Sequence, residues 1–145
     1  MSDTPQSFEK HAKMVPLYHY WGTIFLVVPT LYFLYATVTS YSTMHLMLLM
    51  LAIGLILVGF FSRVFPLGVQ DRVIRLEERL RMERVLPDDL KGRIEEVSTS
   101  HLIGLRFASD EELADLVRRV LAGELSDRKS VKAAVKSWRA DHQRI

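Results

Sequence analysis

Residues 14–62, MVPLYHYWGTIFLVVPTLYFLYATVTSYSTMHLMLLMLAIGLILVGFFS, decide the fold of this chain because they contain no Asp, Glu, Lys or Arg. The hydrocarbon core of a bilayer is about 30 Å thick, and about 20 apolar helical residues cross it. Residues 17–39 and 44–65 are each long enough, and residues 40–43 make the turn. We therefore predict an all-α membrane protein that begins with a two-helix transmembrane hairpin at residues 17–65.

The rest of the chain is polar and too short for a second large core, since the whole sequence has 145 residues. Residues 1–16 are predicted to form a cytoplasmic N-terminal or interfacial segment. Residues 66–86 are predicted to form an amphipathic juxtamembrane helix, set off from the second span by a bend or break at Pro66 and Gly68. Residues 87–145 then form a small cytoplasmic α-helical domain.

Four short helices are predicted in this domain. The first three cover residues 88–97, residues 100–107, with Thr99 as the possible N-cap, and residues 110–122. Ser126 is the expected cap of the fourth helix, which continues through Trp138. The third has the clearest boundaries, because Ser109 and Glu112 match a capping box and Gly123 matches a helix stop.

The basic residues beside the spans predict the orientation, because Lys and Arg collect on the cytoplasmic side of a membrane. The turn between the spans has none. Six basic residues flank the spans and are expected to contact anionic lipid headgroups of the inner leaflet: Lys10, Lys13, Arg63, Arg72, Arg75 and Arg79. Both termini are therefore expected on the cytoplasmic side.

Each span carries a stripe of small or hydroxyl residues at seven-residue spacing. The stripes consist of Thr23, Thr30 and Thr37 on the first span, and of Ala52 and Gly59, after His45, on the second. Folding the hairpin about Tyr41 brings the stripes face to face, which allows the close backbone approach that favours helix association in lipid. Because small residues are common in membrane helices, a chance spacing is the alternative.

The juxtamembrane helix is charged except for an apolar seam, which consists of Val69, Val73, Leu76 and Leu80. The i,i+4 pair of Glu77 with Arg81 is expected to support the helix. The seam has three interpretations. It packs on the chain's own helices, which we favour because a small domain needs every apolar face; it joins two protomers; or it lies among lipid headgroups.

No residue pattern of an enzyme is present. The sequence has no Gly-rich phosphate loop, no zinc-protease or nucleophile-elbow motif and no cysteine, and no carboxylate lies inside either span. The uncharged stretch contains His19 and His45, for which interfacial hydrogen bonding is favoured over haem ligation or a proton relay. We assign no catalytic, cofactor-binding or metal-binding residue and expect no cofactor.

The last predicted helix carries a basic face, made of Arg128, Lys129, Lys132, Lys136 and Arg139. A solvated face beside an acidic helix is favoured over lipid binding, and lipid over nucleic acid, because neither interleaved aromatic residues nor a nucleic-acid fold accompanies the charges. Trp138 is expected to anchor this helix in the core.

Two blocks of the sequence, with one shorter segment, resemble a family of small bacterial membrane proteins of unknown function. The blocks are VQDRVIRLEERLR at residues 69–81 and LRFASDEEL at residues 105–113, and the segment is VPLYH at residues 15–19. The likeness covers most of the chain. It implies a bacterial cytoplasmic membrane and a two-span topology, and it brings no activity, ligand or catalytic residue.

The sequence thus predicts a non-enzymatic integral membrane protein that acts through assembly, as a homo-oligomer or as a small accessory subunit of a larger membrane complex. One alternative is a channel or transporter whose pore forms between protomers and is lined by Thr23, Thr30 and Thr37. Another is a membrane tether that holds a soluble partner through residues 87–145. The expected partners are membrane lipids and copies of the chain or other membrane subunits, with no nucleic acid.

Overall fold

The computed structural model describes residues 15–140 of the chain, and the regular secondary structure of this part consists of helices and one isolated bridge between two residues. A π-helix at Leu17–Gly22 leads into α1, Thr23–Thr39. The other helices are α2, Thr43–Val85; α3, Asp88–Lys91; a 3₁₀ turn at Ile94–Glu96; α4, Thr99–Leu105; α5, Asp110–Leu121; and α6, Arg128–Ala134. The described residues divide into a hairpin unit, residues 15–66, and a C-terminal unit, residues 67–140.

The hairpin unit consists of two long apolar helices joined by a short turn. The first helical stretch ends at Thr39, as predicted, and α2 begins at Thr43. Ser42 caps α2, because its hydroxyl accepts the backbone N–H of His45 at 3.1 Å. The hydroxyl of Tyr18 donates to the carbonyl of Gly59 at 2.9 Å and so links the two helices. Ala36 and Ala52 are the buried residues within residues 15–66.

Of the predicted bend or break at Pro66 and Gly68, the break is wrong. α2 continues through both residues, so the second apolar stretch and the predicted juxtamembrane helix form one 43-residue helix. A proline removes one backbone donor and crowds the carbonyl four residues earlier, but it leaves the other hydrogen bonds of a long helix intact. The charged residues that follow are good helix formers, which favours continuation.

The C-terminal unit is built around a core to which α2–α6 and the 3₁₀ turn contribute. Its fully enclosed side chains include Met82 from α2, Leu102 and Leu105 from α4, and Leu113 and Val117 from α5. The predicted capping box of α5 is confirmed, with both Ser109 and Glu112 in place. Gly123 stops this helix with a φ of 80°, a backbone conformation that glycine adopts at little cost.

The last predicted helix is wrong at both ends. Asp127, not Ser126, caps α6 in a capping box with Ser130, and the helix ends at Ala134 instead of continuing through Trp138. The following residues are extended, and Trp138 pairs with Ala108 in an antiparallel bridge. Their hydrogen bonds run from Arg139 N to Phe107 O at 2.8 Å and from Ser109 N to Ser137 O at 3.1 Å.

The carboxylate of Glu112 explains why this segment leaves the helical conformation. It accepts the backbone N–H groups of Lys136 at 3.0 Å and Ser137 at 3.1 Å, in addition to that of Ser109 at 3.3 Å. These bonds satisfy donors that a continued helix would have used internally. The predicted core contact of Trp138 is nevertheless present, since its ring lies 4.9 Å from that of Phe107 between centroids.

Candidate functional site

The C-terminal half of α2 presents two faces of different character. Ile74, Glu78, Arg81 and Met82 are buried in the C-terminal unit. The apolar seam lies on the other side of the helix, and its members are exposed by 61% at Val69, 47% at Val73, 61% at Leu76 and 49% at Leu80. The favoured prediction, that the seam packs on the chain's own helices, is therefore wrong. Within residues 15–140, the seam is an exposed apolar face on a charged helix.

Arg81 determines which face of α2 turns inward. Its guanidinium donates to Asp110 Oδ1 at 2.8 Å, to Glu78 Oε2 at 3.0 Å and to the carbonyl of Ala108 at 2.7 Å. These bonds tie α2 to the start of α5. The predicted partner, Glu77, is exposed, so the ion pair forms with Glu78 at i,i+3 instead.

Glu78 is a buried carboxylate beside this guanidinium. Burial raises the pKa of Glu78 above its ordinary value, and the charge and hydrogen bond of Arg81 oppose that rise. The guanidinium of Arg139 lies 3.9 Å away and also favours the charged form. On balance, the protonated form of Glu78 is more favoured in the folded protein than it would be in water.

A groove of about 900 Å³ runs beside this network in the C-terminal unit. Its charged lining residues include Glu78, Arg81, Arg84, Arg106 and Asp110. The guanidinium of Arg106 lies 4.6 Å from the ring centroid of Phe107. Among the described residues, the lining contains charges of both signs and no Ser, Thr, His or Lys, so the groups that could act as a base there are the carboxylates. Its chemistry is suited to contacts with charged groups.

The two small-residue stripes lie along the hairpin unit. Thr23, Thr30 and Thr37 each donate their hydroxyl to the carbonyl four residues earlier in their own helix, at 2.8, 2.7 and 2.7 Å. Thr30 and Thr37 are half-buried and Thr23 is exposed. Thr23 and Gly59 line the same small cavity between the helices. A Cβ at Gly59 would lie 3.1 Å from Leu26 Cδ1.

The six basic residues predicted to meet lipid headgroups have different environments. Lys10 and Lys13 lie outside the described residues. Arg72 and Arg75 are exposed, and Arg63 is half-buried. Arg79 forms an ion pair with Glu95 at 2.7 Å, a contact that local sequence patterns do not reveal. Their role at lipid headgroups stays a prediction.

The two histidines of the hairpin unit make local hydrogen bonds. His19 Nδ1 lies 2.9 Å from the carbonyl of Val15, and His45 Nδ1 lies 2.9 Å from that of Ser40. Among residues 15–140, no group of three or more His, Asp or Glu side chains is placed to hold a metal ion.

The predicted basic face of the last helix is not one solvated surface. Arg128, Lys129 and Lys136 are exposed, but Lys132 is buried and its ammonium lies 5.0 Å from the ring centroid of Phe107. Arg106 approaches the same ring, so Phe107 has two cations within cation–π distance. Sequence reasoning missed this cluster, because Lys132 is distant in the chain from Arg106 and Phe107 and only the fold brings it to them.

A family model describing a family of unknown function, DUF6526, matches residues 1–145. The chain belongs to this family. The match spans the whole chain and confirms the expected resemblance to an uncharacterised family. No significant match was found among curated proteins or among solved structures.

Proposed function

We propose that this member of the DUF6526 family is a non-enzymatic integral membrane protein that acts through assembly. Its hairpin crosses the bacterial cytoplasmic membrane with both termini in the cytoplasm. The apolar seam on α2 then provides the contact with a second subunit, either another copy of the chain or another membrane protein.

The surface of the hairpin unit supports the membrane location. Both helical stretches, Leu17–Thr39 and Thr43–Val85, are long and apolar enough to cross a bilayer. Only 6% of the most apolar window of each is buried, whereas the core helix of a soluble protein is mostly buried. Large apolar side chains such as Phe25, Leu57 and Phe65 are exposed on this surface. Lipid tails around such a surface keep its apolar side chains out of water.

The observation that carries the assembly proposal is the exposure of the seam. Single exposed apolar residues are common on protein surfaces, but four in register on a charged helix make a continuous patch. The opposite face already supplies the core of the C-terminal unit. The seam therefore remains available for another helix.

The mass of the full chain in mild detergent tests this proposal, combined with identification of co-purifying proteins. We expect an oligomer, and we expect Leu76→Ser with Leu80→Ser to lower its mass while membrane insertion and the unfolding of the C-terminal unit are unchanged. Arg75→Ser, on an exposed position off the seam, is the matched control and should leave the mass unaltered.

Other results would replace the proposal. A monomer that co-purifies with a soluble protein bound to residues 87–145 would support the tether. A ring whose ion conductance changes on substitution of Thr23, Thr30 and Thr37 would support the pore.

A further inference from the structure

We propose that the seam pairs with the seam of a second copy as a short parallel two-stranded coiled coil, with Arg72 of each protomer paired to the partner's Glu77. This inference rests on the proposed function, because it identifies the partner and the geometry of the assembly contact. Its evidence is the spacing, exposure and flanking charges of the seam.

The spacing of the seam matches the core of a coiled coil. Val69 and Leu76 are seven residues apart, as are Val73 and Leu80, and the steps between successive members alternate between four and three. Val69 and Leu76 therefore occupy d positions, and Val73 and Leu80 occupy a positions. A β-branched residue at a with Leu at d favours two strands in parallel; Val73 with Leu76 fits that preference, whereas Val69 at d and Leu80 at a have the reverse arrangement.

The α2 residues that are buried in the C-terminal unit agree with this register. Ile74 and Arg81 fall at b, Glu78 at f and Met82 at c, all on the outer side of a coiled coil. The second helix would therefore pack on the side of α2 opposite these four residues, where Leu80, at the end of the seam, also lines the groove of the C-terminal unit.

The flanking charges favour parallel over antiparallel pairing. In a parallel pair, a g position faces the next e position of the partner, so Arg72 faces the partner's Glu77, twice across the symmetry axis. Antiparallel pairing would set Glu77 against the partner's Glu77 and Arg72 against the partner's Arg79. The second parallel pair, Arg79 with the partner's Arg84, is like-charged, and the ion pair of Arg79 with Glu95 at 2.7 Å offsets part of this repulsion.

Membrane insertion favours pairing of two copies. It confines both copies to one surface and raises their effective concentration, which compensates for the shortness of the seam.

Disulfide formation in membranes tests the register directly, because the chain has no cysteine of its own. Parallel pairing places the two copies of position 76 side by side, so Leu76→Cys should give a covalent dimer on mild oxidation. Arg75→Cys, one residue away and off the seam, is the matched control and should give little. If the helices paired antiparallel, a disulfide would instead form between a chain that carries Val73→Cys and a chain that carries Leu76→Cys.

Charge exchange tests the Arg72–Glu77 pairing. Arg72→Glu or Glu77→Arg alone should weaken dimerisation of the full chain about tenfold, because two attractive pairs become repulsive. The two substitutions together should restore it. The residues are five apart, too far for an i,i+3 or i,i+4 pair within one helix, so rescue reports contact between chains.

The outcomes separate this inference from the proposed function. An oligomer by mass that shows no cross-link at position 76 would overturn the coiled coil and leave assembly standing. A monomer would contradict both. Cross-linking without charge rescue would overturn the Arg72–Glu77 pairing.

Discussion

At the scale of single residues, the buried pair of Glu78 and Arg81 shows how burial and charge compete. The carboxylate loses hydration on burial, which disfavours its charge, and Arg81 at 3.0 Å restores only part of that loss. Arg81 itself is well satisfied, since Asp110 and Ala108 accept its other donors. The network therefore holds α2 and α5 together mainly through the arginine.

The raised pKa of Glu78 gives a pH dependence with a defined sign. The folded protein binds the proton of Glu78 more tightly than the unfolded chain, so this group's contribution to stability is complete below the ordinary value of 4.5 and is lost as the pH rises through the raised pKa. We expect the free energy of unfolding of the wild type, relative to Glu78→Gln, to fall from acid to neutral pH.

Trp138 fluorescence provides the measurement, because its ring packs on Phe107 in the core; Trp21→Phe in both proteins removes the other signal. The comparison with Glu78→Gln removes the contributions of exposed acids such as Asp127 and Glu96, whose lowered pKa values act in the opposite direction. A relative stability that rises towards neutral pH would show that Arg81 outweighs burial.

Gly104 is the glycine where the lack of a side chain matters most for packing. A Cβ at this position would lie 2.8 Å from Val131 Cβ and 3.2 Å from the carbonyl of Arg128. We expect Gly104→Ala to force α4 and α6 apart and to lower the free energy of unfolding by about 1–3 kcal/mol.

Gly92→Ala is the matched control for Gly104→Ala. Its Cβ would meet nothing within 4 Å and its φ is −65°, so a small stabilisation of about 0.4–1 kcal/mol is expected. Chemical denaturation of the two variants tests the difference. Equal effects would contradict the close contact of α4 with α6.

At the scale of elements, both boundaries of α5 were predictable because the signals that set them are local. The start of α5 follows from Ser109 and Glu112, three residues apart, and its end follows from Gly123. The end of α6 was not predictable in this way, because Glu112, distant in sequence, binds the backbone of Lys136 and Ser137. The exposure of the seam likewise depends on Arg81 bonding to Asp110 and Ala108, 29 and 27 residues away.

Glu112 should be essential for holding the extended C-terminal segment. Replacing it with Ala leaves the amides of Lys136 and Ser137 without their acceptor and weakens the α5 cap, at a cost of about 1–3 kcal/mol. We expect hydrogen exchange of these amides to rise in Glu112→Ala before the core helices exchange. Asp115→Ala, at an exposed position of α5, is the control, and a similar rise there would contradict the role of Glu112.

The whole molecule combines two units with opposite surface chemistry. The hairpin unit exposes its apolar side chains, while the C-terminal unit encloses a core that includes Leu102, Leu113 and Val117. The two long apolar helices were predictable from composition, because no charge interrupts residues 14–62. The continuation of α2 through Pro66 was not, since a proline signals a break that a long helix tolerates.

The central claim, a membrane hairpin with both ends on the cytoplasmic side, is tested most directly by cysteine labelling of intact cells with a membrane-impermeant reagent. The chain offers a clean background because it contains no cysteine. Ser42→Cys lies at the turn of the hairpin, Ala133→Cys lies on an exposed position of α6, and Ser2→Cys reports the N-terminus. We predict that only Ser42→Cys is labelled until the cells are opened. Labelling of Ser2→Cys or Ala133→Cys in intact cells would contradict the account.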